Sequence, residues 1–300
     1  MTTKDNKSVV PYKRLFMFKS RWFNTRTLGR YHLVLQLGPD SFSASCITTD
    51  THRCLLVAAY AVVGDTPVQW LAASRQLYSQ NPLLHAKGWG KVTLSVANQQ
   101  YTLVPEQLFI QEQAATYLKF ACPLEDTVVV QHTVHAPLNA VVVFGVDAAL
   151  RNWFHDTYTP GTVRVVHQTS SLIQGAWTYL HMHRLKPRPR LFVHVEAEYL
   201  HITAMDKGKL LYYNRFAHKS EDEIVRYLVL VMRTLQLDPH LHEVIVSGNI
   251  TKSCSRYKKV RKYIRYITLA KKPPYIRFGW TFSRSTAVRY FDILSAHLCH

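Results

Sequence analysis

No apolar run in this 300-residue chain approaches the ~20 residues that a membrane-spanning helix needs. The longest, Leu55 to Val63, has nine residues and lies between Cys54 and Gly64. Near the N-terminus, Lys13, Arg14, Lys19, Arg21, Arg26 and Arg30 interrupt every apolar stretch, which argues against a signal peptide. The cysteines are Cys46, Cys54, Cys122, Cys254 and Cys299, an odd count without a Cys-x-x-Cys pair. That excludes a disulfide framework and a zinc ribbon as organising features. Acidic residues are also scarce, 19 against 37 Lys and Arg, for a net charge of +18. The expectation is a cytoplasmic, folded protein: 47% hydrophobic and 19% charged residues are not a disordered composition, and the length allows one large domain or two medium ones.

The excess charge sits at the two ends. Residues 1–31 carry eight basic residues and one acidic, a net of +7, and residues 250–300 carry twelve and one, a net of +11. The body between them is nearly neutral. Concentrated cationic blocks suggest a surface for an anionic partner. The sixteen histidines include close pairs, His181 with His183 and His240 with His242, and a group of His297, Cys299 and His300. None has a cysteine or carboxylate partner at zinc-like spacing, so no metal is expected and the histidines are taken as surface residues.

Hydrophobic periodicity predicts strands at Leu33–Leu37, Phe42–Thr48 and Cys54–Val63, then a helix capped by Thr66 with Pro67 at its first position, then a strand at Lys91–Val96. The same order recurs at Leu191–Val195, Tyr199–Met205 and Lys209–Phe216. A helix follows behind the capping box Ser220 and Glu223, then a strand at Glu243–Val246. Asp206, Lys207 and Gly208 form a tight hairpin turn. A β-β-β-α-β unit thus occurs twice, about 158 residues apart, with Gln36 aligned to His194. Such duplication predicts two similar lobes facing each other. A strand pair at 128–134 and 140–144, a strand at 163–166 and helices at 147–155 and 170–181 lie between. The alternating prolines of 186–190 mark a joint. The expected division is a basic aromatic segment over 1–31, a first lobe over 32–185 and a second over 186–300. A basic helix is expected over 253–263, a strand over 264–269 and a last helix over 285–298.

Two such halves around a cleft is the α/β plan of the actin-like, ribonuclease H-like superfamily of ATPases. The segments Leu33–Ile47, Tyr101–Glu106, Leu191–Phe216 and Val246–Gly248 resemble a bacterial family, known mainly from Bacteroidetes, that is catalogued as a domain of unknown function. Its fold is similar to those of the pilus assembly protein PilM and the cell-division protein FtsA. Its most specific stretch is Tyr101–Glu106 followed by Phe109 and a helix over 111–120.

The resemblance implies three nucleotide loops, and all three are degenerate. Gln36 stands at the first acidic position and is a poor Mg²⁺ partner; Gly38 and Ser41 remain in the turn, but Pro39 removes a donor. His194 stands where an aspartate is expected, and Glu196, Ala197 and Glu198 replace phosphate-binding glycines, with carboxylates that would repel a triphosphate. Ser247 and Gly248 remain in the third loop. Glu196 and Glu198 are expected to face solvent as hairpin-turn residues. The expectation is a pseudo-ATPase with no catalytic residues and no cofactor.

Seven basic residues fall within fourteen positions: Lys252, Arg256, Lys258, Lys259, Arg261, Lys262 and Arg265. Tyr257, Val260 and Ile264 give their helix one apolar face. These cations are candidates for a phosphate backbone or an anionic lipid surface, with a merely solvated face as the alternative. In the N-terminal segment Phe16, Phe18, Trp22 and Phe23 interleave with bases, and can stack on a ligand or pin the segment to the protein's own surface. The leading expectation is a non-catalytic scaffold or adaptor with a protein partner. The alternatives are a nucleic-acid- or anionic-membrane-associated protein acting through the basic ends, and a divergent ATPase.

Overall fold

The computed structural model describes residues 12–62, 66–159, 161–183 and 188–299. Residues 186–187 of the expected joint and residues 1–11 of the basic N-terminal segment lie outside the described residues. Two five-stranded arrangements of identical order form the frame. In the first lobe β2 (Tyr31–Leu37), β3 (Ser41–Thr48) and β4 (Cys54–Val62) pair antiparallel, while β5 (Lys91–Val96) and β9 (Val163–His167) extend the sheet in parallel from β2. In the second, β10 (Arg190–Val195), β11 (Tyr199–Asp206) and β12 (Lys209–Ala217) pair antiparallel, and β13 (Glu243–Gly248) and β14 (Tyr266–Leu269) follow in parallel from β10. The duplicated unit is therefore real, and each copy carries one strand more than the repeat suggested.

Local chemistry explains the element boundaries. The Thr66 hydroxyl accepts from the Gln69 N–H to cap α1 (Pro67–Gln80), and the Ser220 hydroxyl accepts from the Glu223 N–H to cap α5 (Glu221–Thr234). Lys207 and Gly208 both have positive φ, as a two-residue hairpin requires. Strand alternation sorts the second core. Leu191, Val193 and Val195 face α5, where Ile224, Leu228 and Met232 close on them, whereas Phe192 turns the other way onto Phe291.

Residues 12–19 do not form a separate segment. They are β1 (Tyr12–Lys19), paired antiparallel with β4 at the sheet edge. Phe16 packs on Tyr290 and Phe18 on Phe282, while Phe23 is buried beside Tyr31 and Trp89. The aromatics thus pin this segment to the body, with only Trp22 strongly exposed. Lys13, Arg14 and Lys19 lie along the edge, which discourages pairing with another chain.

A third, small sheet was not assembled from the sequence. Its order is β6 (Tyr101–Pro105), β8 (Ala140–Asp147), β7 (Val128–His135), all antiparallel, with α2 (Ala114–Ala121) on one face, its Leu118 clustered with Val104, Val141 and Val143. Helix α2 begins after a 3₁₀ turn at Gln111–Gln113, not at 111 as expected. The helix α3 (Ala148–Thr157) is capped by Asp147.

The expected last helix is broken at Tyr290 into α7 (Arg284–Arg289) and α8 (Phe291–Ser295). Helix α4 (Gln168–Met182) and α8 pack together in the middle of the molecule. A Cβ at Gly175 would fall 2.3 Å from the Ser295 hydroxyl, so this approach needs glycine. Among the described residues no helix is long and apolar enough to cross a membrane.

The candidate functional site

The cleft is built from the ends of equivalent strands. Gln36 lies opposite Ser95 on β5 and accepts from its hydroxyl at 3.2 Å, and His194 lies opposite Ser247 on β13 with Nδ1 3.0 Å from its hydroxyl. The two aligned positions therefore occupy the same place in their sheets. What fills the space between them comes from elsewhere in the chain. The break at Tyr290 is followed by Asp292, 6% exposed, whose carboxylate accepts from the Gln36 amide and, at 2.9 Å, from the amide of Gln168 at the start of α4. Gln168 also donates to Glu196. A side-chain chain from Gln36 through Asp292 and Gln168 to Glu196 thus spans the cleft from one lobe to the other.

Glu196 does not face solvent as expected. Its side chain turns into the cleft, with Oε2 3.4 Å from Nε2 of His201, while Glu198 is exposed. Glu196 stands at the end of β10, where its N–H still donates to the Tyr199 carbonyl at 2.8 Å, whereas Glu198 lies in the turn itself. Burial pushes the Glu196 carboxyl up, but His201, His194 and Arg215 outweigh it and hold it down at about 2. Burial also depresses the basicity of His194, against the pull of Asp292 and Glu196.

The cleft encloses about 260 Å³ and is lined also by Gly38, Asp40, Ser41, Arg215 and Arg289. Gly38 spends its N–H on the Ser41 carbonyl at 2.9 Å, so that donor closes the hairpin. Gly248 has φ near +89°, and a Cβ there would sit 2.2 Å from the Val195 carbonyl oxygen. Its glycine is required by the approach of β13 to β10. Two cations are present that sequence reasoning missed. Arg215 lies over the Tyr199 ring, 3.5 Å from its centre, and donates to the Asn98 carbonyl; Arg289 lies over Tyr290.

Histidine burial also departs from expectation. His32, His135, His167, His194, His201, His218 and His297 are buried, so they are not surface residues. His201 was foreseeable, because a hairpin through 196–198 puts it directly opposite His194, as the register confirms. Asp292 had a signal too, being the single acidic residue of the cationic last block. Nothing in the sequence pointed to Gln168.

The matching family pattern spans residues 20–267 and is described as a protein of unknown function, DUF3822. The chain belongs to this family. In fold it is similar to a Bacteroides thetaiotaomicron protein with an actin-like ATPase fold and unknown function, with a TM-score of 0.75 at 17% identity over 93% of this chain and 99% of that one. It is also similar to the PilM–PilN type IV pilus biogenesis complex, with a TM-score of 0.60 at 12% identity over 89% of this chain and 97% of that one. No curated protein matches by sequence. The DUF3822 chain thus has the actin-like fold, with two duplicated lobes about a cleft.

None of the seven candidate cations lines the cleft. In α6 (Ser255–Arg261), Tyr257 and Val260 are buried, as is Ile264 beyond its end, so the apolar face packs as expected. Lys252, Lys258, Arg261, Lys262 and Arg265 are exposed; Arg256 and Lys259 are half-buried, and Lys259 pairs with Asp222 at 2.8 Å.

Proposed function

We propose that this DUF3822 protein is a non-catalytic adaptor of actin-like fold whose cleft does not take ATP. The carrying observation is the side-chain bridge Gln36–Asp292–Gln168–Glu196, which occupies the space between the lobes with two carboxylates. A triphosphate would meet these anions and, in the second hairpin, Glu196, Ala197 and Glu198 in place of glycine donors. Arg215 offers little relief, because its charge already offsets Glu196 and it donates to the Asn98 carbonyl. The likeness to PilM, solved in complex with PilN, supports a protein partner as the class of ligand.

Isothermal titration with Mg-ATP tests the cleft. No heat of binding is expected, and a micromolar Kd would overturn the proposal in favour of a divergent ATPase. A second reading, contact with a polyanion, is supported by the five exposed cations on and beside α6. Its test is binding to generic DNA and RNA across a salt series, since backbone contacts weaken steeply with salt.

A further inference from the structure

We infer that His194, Glu196 and Asp292, with His201 as a fourth donor, form a binding site for one divalent transition-metal ion of the zinc class, taken up without nucleotide. One ligand atom from each of His194, Glu196 and Asp292 lies within 4.8 Å of the others. Ligands on a metal at ~2.0–2.2 Å stand roughly 3–4 Å apart, so small rotamer adjustments suffice. Nε2 of His194 is already 3.8 Å from Oδ1 of Asp292.

The remaining atom of each residue is held by a neighbour. The Ser247 hydroxyl donates to the Val193 carbonyl at 3.3 Å, so it accepts from Nδ1–H of His194, and the Nε2 lone pair then faces the Asp292 carboxylate. A lone pair opposed to a carboxylate is repulsive unless a proton or a metal ion lies between them. Asp292 Oδ2 is held by Gln36 and Gln168, and Glu196 Oε1 by Gln168, which leaves Oδ1 and Oε2 toward the centre. Outer partners that orient every ligand are what a metal site requires.

His201 supplies the independent observation. Its ring is 1% exposed, Nδ1 pairs with the Tyr213 hydroxyl at 2.8 Å, and Nε2 makes no hydrogen bond although it points at Glu196. Imidazole nitrogen beside carboxylate oxygen selects zinc-class ions over Mg²⁺ and Ca²⁺, which prefer all-oxygen shells. A bound ion would tie the second-lobe hairpin to the C-terminal helix. The inference shares the cleft with the pseudo-ATPase reading but does not depend on it.

The test uses the full chain stripped with chelator. Titration with Zn²⁺ should show one tight site, at least about 100-fold stronger than for Mg²⁺, and saturation should raise Tm by about 5 °C. Co²⁺ should give visible d–d bands from the same site. His194→Ala and Asp292→Asn should abolish the tight site, and His201→Gln should weaken it about tenfold or more. The change His240→Ala, at an exposed surface position, should leave it intact. Should the buried variants fail to fold, Glu196→Gln decides, because this side chain is 25% exposed and its loss is tolerable. Unchanged Zn²⁺ stoichiometry and affinity in Glu196→Gln would overturn the site, as would equal affinity for Mg²⁺. Absence of metal binding together with absence of ATP binding would overturn the metal site alone. Metal uptake that appears only after ATP is added would overturn both proposals.

Discussion

Acid should destabilise this protein through His167, the residue that caps α4. Its Nδ1 accepts from the Thr169 N–H at 3.1 Å and its Nε2 donates to the Asn98 carbonyl at 3.3 Å, so the neutral ring satisfies both partners. The ring is stacked on Tyr101 and fully buried, and burial, with Arg215 nearby, depresses its pKa to about 3. A proton on Nδ1 would remove the cap and leave a charge in the core. Between the unfolded value near 6.5 and the folded value near 3, the unfolded chain binds a proton that the folded chain refuses, so stability falls as pH falls through this window. At pH 5 the loss from this residue is about 2 kcal/mol, with little lost at pH 7. The comparison is urea unfolding at pH 7 and pH 5 for the parent and for His167→Asn, since asparagine caps helices well and does not titrate. The variant should start less stable at pH 7 but lose about 2 kcal/mol less than the parent on acidification. Equal losses would show that His167 does not set this part of the acid response.

Four further outcomes follow from the same structure. Val195→Ala, at a position 1% exposed between β10 and α5, should cost ~1–3 kcal/mol in denaturant unfolding; a parent-like Cm would mean the buried face of β10 is misassigned. Gln36→Asp should produce no Mg-dependent phosphate release, and should lower stability by a few kcal/mol because a carboxylate would then face Asp292 where an amide donated. Replacing Lys258, Lys259, Arg261 and Lys262 with Gln should change stability by only ~0–1 kcal/mol for each exposed charge, yet weaken polyanion binding and flatten its salt slope; a slope equal to the parent's would remove α6 as the contact. A thiol reagent at pH 8 should find only Cys122 and Cys254 in the native protein, because Cys46, Cys54 and Cys299 are buried and burial pushes the thiols of Cys54 and Cys299 up to about 12; five rapid equivalents without denaturant would contradict this.

Much of the frame was legible because it is local. Short continuous apolar runs mark β2, β10 and β13, and capping hydroxyls at Thr66 and Ser220 mark helix starts, since each signal needs only neighbours along the chain. Repetition of that local order was enough to predict two lobes and the equivalence of Gln36 with His194. The β7–β8 pair was legible, but the break at Tyr290 was not, nor was the addition of β6, which α2 separates from that pair. Strand pairing across such a distance depends on which faces meet, and a sequence pattern shows only that a face exists.

The cleft divides the same way. The residues alone place a glutamine at 36 and a histidine at 194. Only the tertiary structure returned acidity to the cleft, by turning Glu196 inward and by bringing Asp292 from the far end of the chain to Gln36 and Gln168. Sequence determines which side chains are available and which local turn each occupies. Where carboxylates and imidazoles converge is decided by packing: α8 sits against α4 because Gly175 leaves room for Ser295, and that contact sets where Asp292 points.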